Sequence, residues 1–206
     1  DRIRFTTDGR RYTLTVNQAK AEGQGSAMKL VDINPSDAYW EIVIEDHGND
    51  YTSTFYYYDG QKLVNMGSVQ GLCGNTEAVK GDGIVRSMAR SNILETWYYT
   101  KSYRLNAQHK LVESPSAFYE KIGHRNANPL ILKIESLHFV VSPGSDEVSF
   151  VLNRNETVRF MGSDNQRWCL FQTSDGRIGW LEVYDSKYIA GTGLHASDVF
   201  DGLSYE

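Results

Sequence analysis

Val158-Arg159-Phe160-Met161-Gly162, then Asp164-Asn165-Gln166-Arg167-Trp168-Cys169-Leu170-Phe171, then Thr173-Ser174-Asp175-Gly176-Arg177-Ile178-Gly179-Trp180-Leu181 form one run of three apolar stretches separated by polar turns. Each stretch is too short for a stable helix, and each is rich in aromatic and branched residues that suit a pleated surface. Asp175-Gly176 reads as a two-residue turn, because Gly reverses the chain through positive φ at no steric cost. Gly179, just before Trp180, reads as a point where the backbone passes close to another part of the fold. The reading is three antiparallel strands in an all-β chain.

Working outward, Ile131–Glu135 and Val148–Leu152 add two strands to Thr157–Gly162, Arg167–Gln172 and Ile178–Val183. Strands this short and evenly spaced predict a small barrel. After them Ser197 offers a helix N-cap and Gly202 a stop. Upstream, His124-Arg125-Asn126-Ala127-Asn128-Pro129 is polar and ends in a proline that discourages any continuing helix. The predicted domains are therefore 1–126, an antiparallel sheet domain, and 127–206, the barrel with its tail. Charge is split in the same sense: residues 1–130 balance 15 basic against 15 acidic side chains, whereas 131–206 hold 6 basic and 11 acidic.

The first part reads as hairpins. Ile3–Thr6 and Tyr12–Val16 flank Asp8-Gly9, and Ser53–Tyr58 and Lys62–Met66 flank Asp59-Gly60. Met28–Val31, Trp40–Glu45, Ile84–Ala89, Ile93–Thr100 and Tyr103–Leu105 are further strands, and Ser116–Glu120 is a candidate helical turn. A net charge of −5 argues against nucleic acid as the partner. No apolar run approaches the roughly 20 residues that span a bilayer. The chain starts at Asp1 without Met, inside strand-like sequence, as would a chain trimmed of a signal peptide or lipoprotein leader. Cys73 and Cys169 have no Cys or His at metal spacing and read as free, buried thiols.

The run from 131 to about 186 resembles the bacterial Src-homology-3-like domain of cell-wall proteins: a polar turn, a Trp-led strand, an Asp-Gly hairpin, then Gly-Trp with an apolar residue. Val141-Ser142-Pro143-Gly144 stands where that family shows Val-Arg-Ser-Gly-Pro, without the Arg. The resemblance implies a wall polymer such as peptidoglycan as ligand. Trp168 and Trp180 read as core, or one of them, with Phe139 or Tyr184, lines a groove for peptide or glycan.

Leu30 to Ile44, followed by Tyr58-Asp59-Gly60, is similar to an FG-GAP-type repeat of integrin-like propellers and bacterial surface proteins. Loops of that kind can wrap calcium with alternating oxygens. Here the series is Asp32, Asn34, Ser36, with Asp37 where Gly is needed and Glu41 one place late. A hard cation needs six to eight oxygens, so the expectation is a solvated turn and no metal.

Catalytic patterns are sparse. The five His residues are scattered, there is no Gly-x-Ser-x-Gly elbow, and the triplets 81–83 and 191–193 read as turns. Gly71-Leu72-Cys73-Gly74 leaves Cys73 as the one candidate nucleophile, for a cell-wall hydrolase or an enzyme accessory. In Tyr56-Tyr57-Tyr58 and Trp97-Tyr98-Tyr99 alternate rings must face opposite ways, so each cluster shows a ring away from the core. The resulting expectation is a non-catalytic, secreted or cell-surface binding or scaffolding protein of a Gram-positive-type bacterium, without a cofactor. Its partner is a wall polymer or a surface protein, and the candidate binding residues are Phe139, Trp180, Tyr184, Tyr56, Tyr58 and Tyr98. A structural piece that pairs its N-terminal sheet with another protein is the further alternative.

Overall fold

The computed structural model describes residues 2–7, 10–15, 27–47 and 51–205. It is all-β. The strands are β1 (Arg2–Thr7), β2 (Arg10–Thr15), β3 (Ala27–Val31), β4 (Glu41–Asp46), β5 (Thr52–Tyr58), β6 (Leu63–Gln70), β7 (Ile84–Ser91), β8 (Trp97–Leu105) and β9 (Leu111–Ser114). There follow β10 (Tyr119–Glu120), β11 (Leu130–Leu132), β12 (Ser136–Val140), β13 (Val148–Asn153), β14 (Thr157–Ser163), β15 (Trp168–Thr173), β16 (Ile178–Tyr184), β17 (Tyr188–Ile189) and β18 (Phe200–Asp201). Among the described residues helix is confined to a 3-10 turn at His124–Asn126 and to α1 (Ala196–Val199). Among the described residues no helix is long and apolar enough to cross a membrane.

Two compact units form. One comprises residues 1–88 and 101–115, the other 89–100 and 116–206. They are built from interleaved segments, whereas a single cut at 126/127 was expected. The reason is apolar content: Trp97 and Tyr99, on β8, are buried in the core of the second unit.

In the first unit β3–β6 form a four-stranded antiparallel meander, and β1 pairs β2. The Asp8-Gly9 turn lies outside the described residues. Val43, Phe55, Met66 and Val69 alternate inward from the meander and meet Ile33, Cys73, Val79 and Val85 in one core. Strands β7, β8 and β9 make a separate sheet. Residues 93–105 are not two strands, as the sequence suggested. Leu94 takes a left-handed φ of 68°, the Ser91 hydroxyl accepts the Ile93 N–H, and the Trp97 indole donates to the Ile93 carbonyl, so the chain turns here. One continuous strand then starts at Trp97.

The second unit is a nine-stranded antiparallel sheet ordered β13-β12-β16-β15-β14-β11-β18, with β10 on β14 and β17 on β16. It is open rather than the closed barrel expected, since no pairing joins β13 to β18 among the described residues. On β15 the core face is Cys169, Phe171 and Thr173; on β16 it is Gly179, Leu181 and Val183. Gly179 is required there. A Cβ on it would lie 2.7 Å from the Phe139 Cβ and 2.8 Å from the Phe150 ring. The Thr173 N–H donates to the Arg177 carbonyl, so the hairpin between β15 and β16 closes on three residues, Ser174-Asp175-Gly176, with Gly176 at φ 90°, instead of the two read from sequence. Residues 119–120 are a strand, not a helical turn. Their backbone settles over Gly162, where a Cβ would meet the Tyr119 carbonyl at 2.1 Å.

Candidate functional site

Strict alternation along β16 and β17 places the site. Val183 and Ile189 point inward and are fully buried, so their neighbours Tyr184 and Tyr188 must point outward. The two tyrosines are cross-strand partners, joined by a turn in which Asp185 and Ser186 both adopt left-handed φ (47° and 63°). Facing partners on one side of a sheet stack, and these rings lie 5.5 Å apart at 19°. His195 meets Tyr188 edge-on at 5.5 Å, and Tyr205 follows at 6.4 Å from His195. The row is open to solvent: Tyr184 is 37% exposed, Tyr188 39% and Tyr205 46%.

Its far end is fixed from beneath. His195, rather than Ser197, is the N-cap of α1, its Nδ1 accepting the Ser197 N–H. That leaves Nε2 to carry the ring proton in the neutral form. The Tyr205 hydroxyl donates to the Leu94 carbonyl, and Lys187 Nζ lies 6.0 Å from the Tyr205 ring. Burial and then the Glu95 charge push the Tyr205 phenol up. Glu95, itself buried, accepts the Ser204 N–H and is ion-paired with Lys121. No family model, curated protein or solved structure matches this chain. The chemistry of the row therefore has to be read from its own atoms. Flat apolar ring faces offer contact area at low entropy cost, while phenol and imidazole edges offer hydrogen bonds.

The other residues singled out from sequence are dispersed. Phe139 is not a surface group: it is fully buried, stacked on Phe150 at 4.5 Å and edge-on to Phe171 at 5.2 Å. Trp168 and Trp180 are not core either. Both are half-buried and alternate to the face opposite Cys169 and Leu181, with Trp180 edge-on to Phe118 at 5.7 Å. Trp180 and Tyr184 thus share one face of β16. Tyr98 is half-buried on β8, on the side away from Trp97 and Tyr99. Tyr56 and Tyr58 belong to the first unit, half-buried on β5, and the Tyr58 hydroxyl donates to the Gly60 carbonyl. Tyr57, between them, packs instead with Tyr39 and His109, at 5.0 and 5.1 Å. Sequence reasoning missed Tyr188 and His195. The four-residue step from Tyr184 to Tyr188 across a polar turn was the available signal, whereas nothing local marks Tyr205.

The loop after β3 uses its oxygens on itself. Asn34 accepts the Ser36 N–H, Asp37 accepts from Asn34 and from the Tyr39 N–H, and Glu41 accepts the Ile33 N–H. Burial, joined by the Asp37 and Asp32 charges and opposed by the Ile33 hydrogen bond, pushes Glu41 up to about 7. One oxygen each of Asp32 and Glu41 is buried without a partner. No group of three or more His, Cys, Asp or Glu suited to a metal occurs among the described residues. Cys73 and Cys169 are free and buried. Burial, opposed by Ser53 and joined by the Glu45 charge, pushes the Cys73 thiol up to about 11, and its hydrogen-bond partners are the Gly71 and Arg86 carbonyls and Ser53.

Proposed function

We propose that this chain is a non-catalytic binding protein of the bacterial cell envelope, displayed outside a Gram-positive-type cell, that takes a wall polymer such as peptidoglycan, or a surface protein, along the row Tyr184–Tyr188–His195–Tyr205. The observation that carries this reading is four ring systems in succession at the surface, three of them more than a third exposed. Exposed aromatic rows of this kind favour ligands with alternating apolar and hydroxylated faces. The second unit is read as an opened relative of the Src-homology-3-like wall domain, supported by the consecutive antiparallel strands β14, β15 and β16 with Trp168 and Gly179-Trp180 in order. The first is read as a blade-like sheet of FG-GAP type, supported by the β3–β6 meander. A hydrolase using Cys73 is disfavoured, since a nucleophile needs a thiolate and an adjacent base.

Co-sedimentation with purified wall sacculi tests the reading. The parent protein is expected in the pellet, and Tyr184→Ala or Tyr188→Ala in the supernatant with little change in Tm. Equal sedimentation of parent and variants would remove the row from the argument. A second reading, assembly through the N-terminal sheet, is favoured by β3, which ends the meander and carries Met28 50% and Leu30 62% exposed. It predicts that the parent stays soluble with sacculi but sediments with a surface protein, and that Leu30→Lys abolishes this.

A further inference from the structure

The outer face of β14 and β15 holds a groove of about 410 Å³ that lies apart from the aromatic row in sequence and shares none of its residues. That volume is within the roughly 300–1,000 Å³ of small-ligand clefts. Its lining includes the polar Thr157, Arg159, Gln172 and Ser174 together with the apolar Val158 and Pro129. Arg159 stands between the inward residues Val158 and Phe160, so alternation aims it outward, directly across from Gln172.

Arg159 has a buried Nε with no hydrogen-bond acceptor, and among the described residues no carboxylate pairs with it. Other arginines of this unit are engaged: Arg167 with Glu182, Arg177 with Asp175, and Arg154 with the Lys133 carbonyl. A buried cationic N–H without an acceptor is costly, and an anion brought to the guanidinium would offset part of that cost. No acid lines the groove. The two acids adjoining lining residues in sequence are engaged elsewhere: Asp175 accepts from Thr173 and Arg177, and Glu156 accepts from the Asn153 N–H and side-chain amide.

We propose that this groove binds a carboxylate-bearing ligand, the carboxylate seated on the Arg159 guanidinium with Gln172 and Ser174 as neighbouring donors. A guanidinium matches the two oxygens of a carboxylate as a fork. Charge balance selects the class: one cation neutralises a monoanion, whereas residues 131–206, with 6 basic and 11 acidic side chains, repel a phosphate dianion more strongly. The inference is independent of the ligand taken by the aromatic row.

The test titrates the whole protein with N-acetyl-alanyl-alanine, its C-terminal amide and inorganic phosphate, following backbone amide resonances of Ser174 and Gly176. The free acid is expected to saturate in the ~1–10 mM range usual for so small a ligand. The amide should not saturate, and phosphate should bind at least tenfold more weakly than the acid. Arg159→Gln should weaken the acid at least tenfold while leaving Tm unchanged or higher, because an unsatisfied charge has been removed. Equal binding of acid and amide, tighter binding of phosphate, or no saturation would each overturn the proposal. So would a lower Tm for both Arg159→Gln and Arg159→Met, which would show that the guanidinium has a structural role.

Discussion

Truncating Phe139 to Ala should unfold the second unit far below the parent's melting temperature. The ring is fully buried between Phe150 and Phe171, and beneath it lies Gly179, which has no side chain to move into the space. Phe-to-Ala changes in cores cost about 3–5 kcal/mol, more where the site cannot collapse, so about 4–5 kcal/mol is expected here. For a unit of about a hundred residues, an unfolding entropy near 2 cal/mol/K per residue converts this to a fall of roughly 20 °C. Trp180→Ala supplies the contrast. Its ring is larger but only half-buried on the opposite face, touching Phe118, so about 1–2 kcal/mol and roughly 5–10 °C are expected. Scanning calorimetry of the parent and both variants reads the two numbers directly. A Trp180→Ala loss as large as that of Phe139→Ala would refute the assignment of the two faces, as would a Phe139→Ala shift below about 5 °C.

Gly179→Ala should lower the same transition through overpacking, by about 1–3 kcal/mol, and Phe150→Leu in the same chain should recover part of it; calorimetry of both variants checks this. Glu41 has a folded pKa of about 7, raised above its ordinary value, so its contribution to stability is fully present at acidic pH and is lost as pH rises through 7. Glu41→Gln should therefore melt increasingly above the parent between pH 5 and 8; a difference in Tm that does not change with pH would contradict the burial argument. Cys73 and Cys169 should resist a disulfide reagent at pH 8 until denaturant is added, and rapid labelling of the folded protein would show that one thiol is accessible.

The strands were legible wherever alternation is strict. Val148–Asn153, residues 157–161 and Ile178–Tyr184 each carry one inward and one outward set of side chains, and the sequence shows that period directly. Gly179 was legible because only close approach explains a glycine inside such a strand. Which face is the core was not legible, since Trp168 and Leu170 are as apolar as Cys169 and Phe171, and burial depends on what the rest of the chain brings to each side. That is how Phe139 came to be placed on a surface and Trp168 in a core. The aromatic row was half visible: Tyr184 is on a readable strand, but its neighbours come from a turn, a helix cap and residue 205, brought together only by the fold.

The interleaving of the two units has a consequence for how the chain is made. Synthesis runs from the N-terminus, so Trp97 and Tyr99 leave the ribosome long before Phe160, Phe171 and Phe200 exist to cover them. At about 5–20 residues per second, the hundred residues between Thr100 and Phe200 take roughly 5–20 s to appear. Through that interval a stretch of large aromatic side chains has no permanent neighbours and is open to capture by a holdase or by another nascent copy. Yield in a cell is therefore set by the speed and escort of translation as much as by the stability of the finished protein. Slowing elongation between residues 100 and 160 should lower it, and slowing elongation after residue 200 should not.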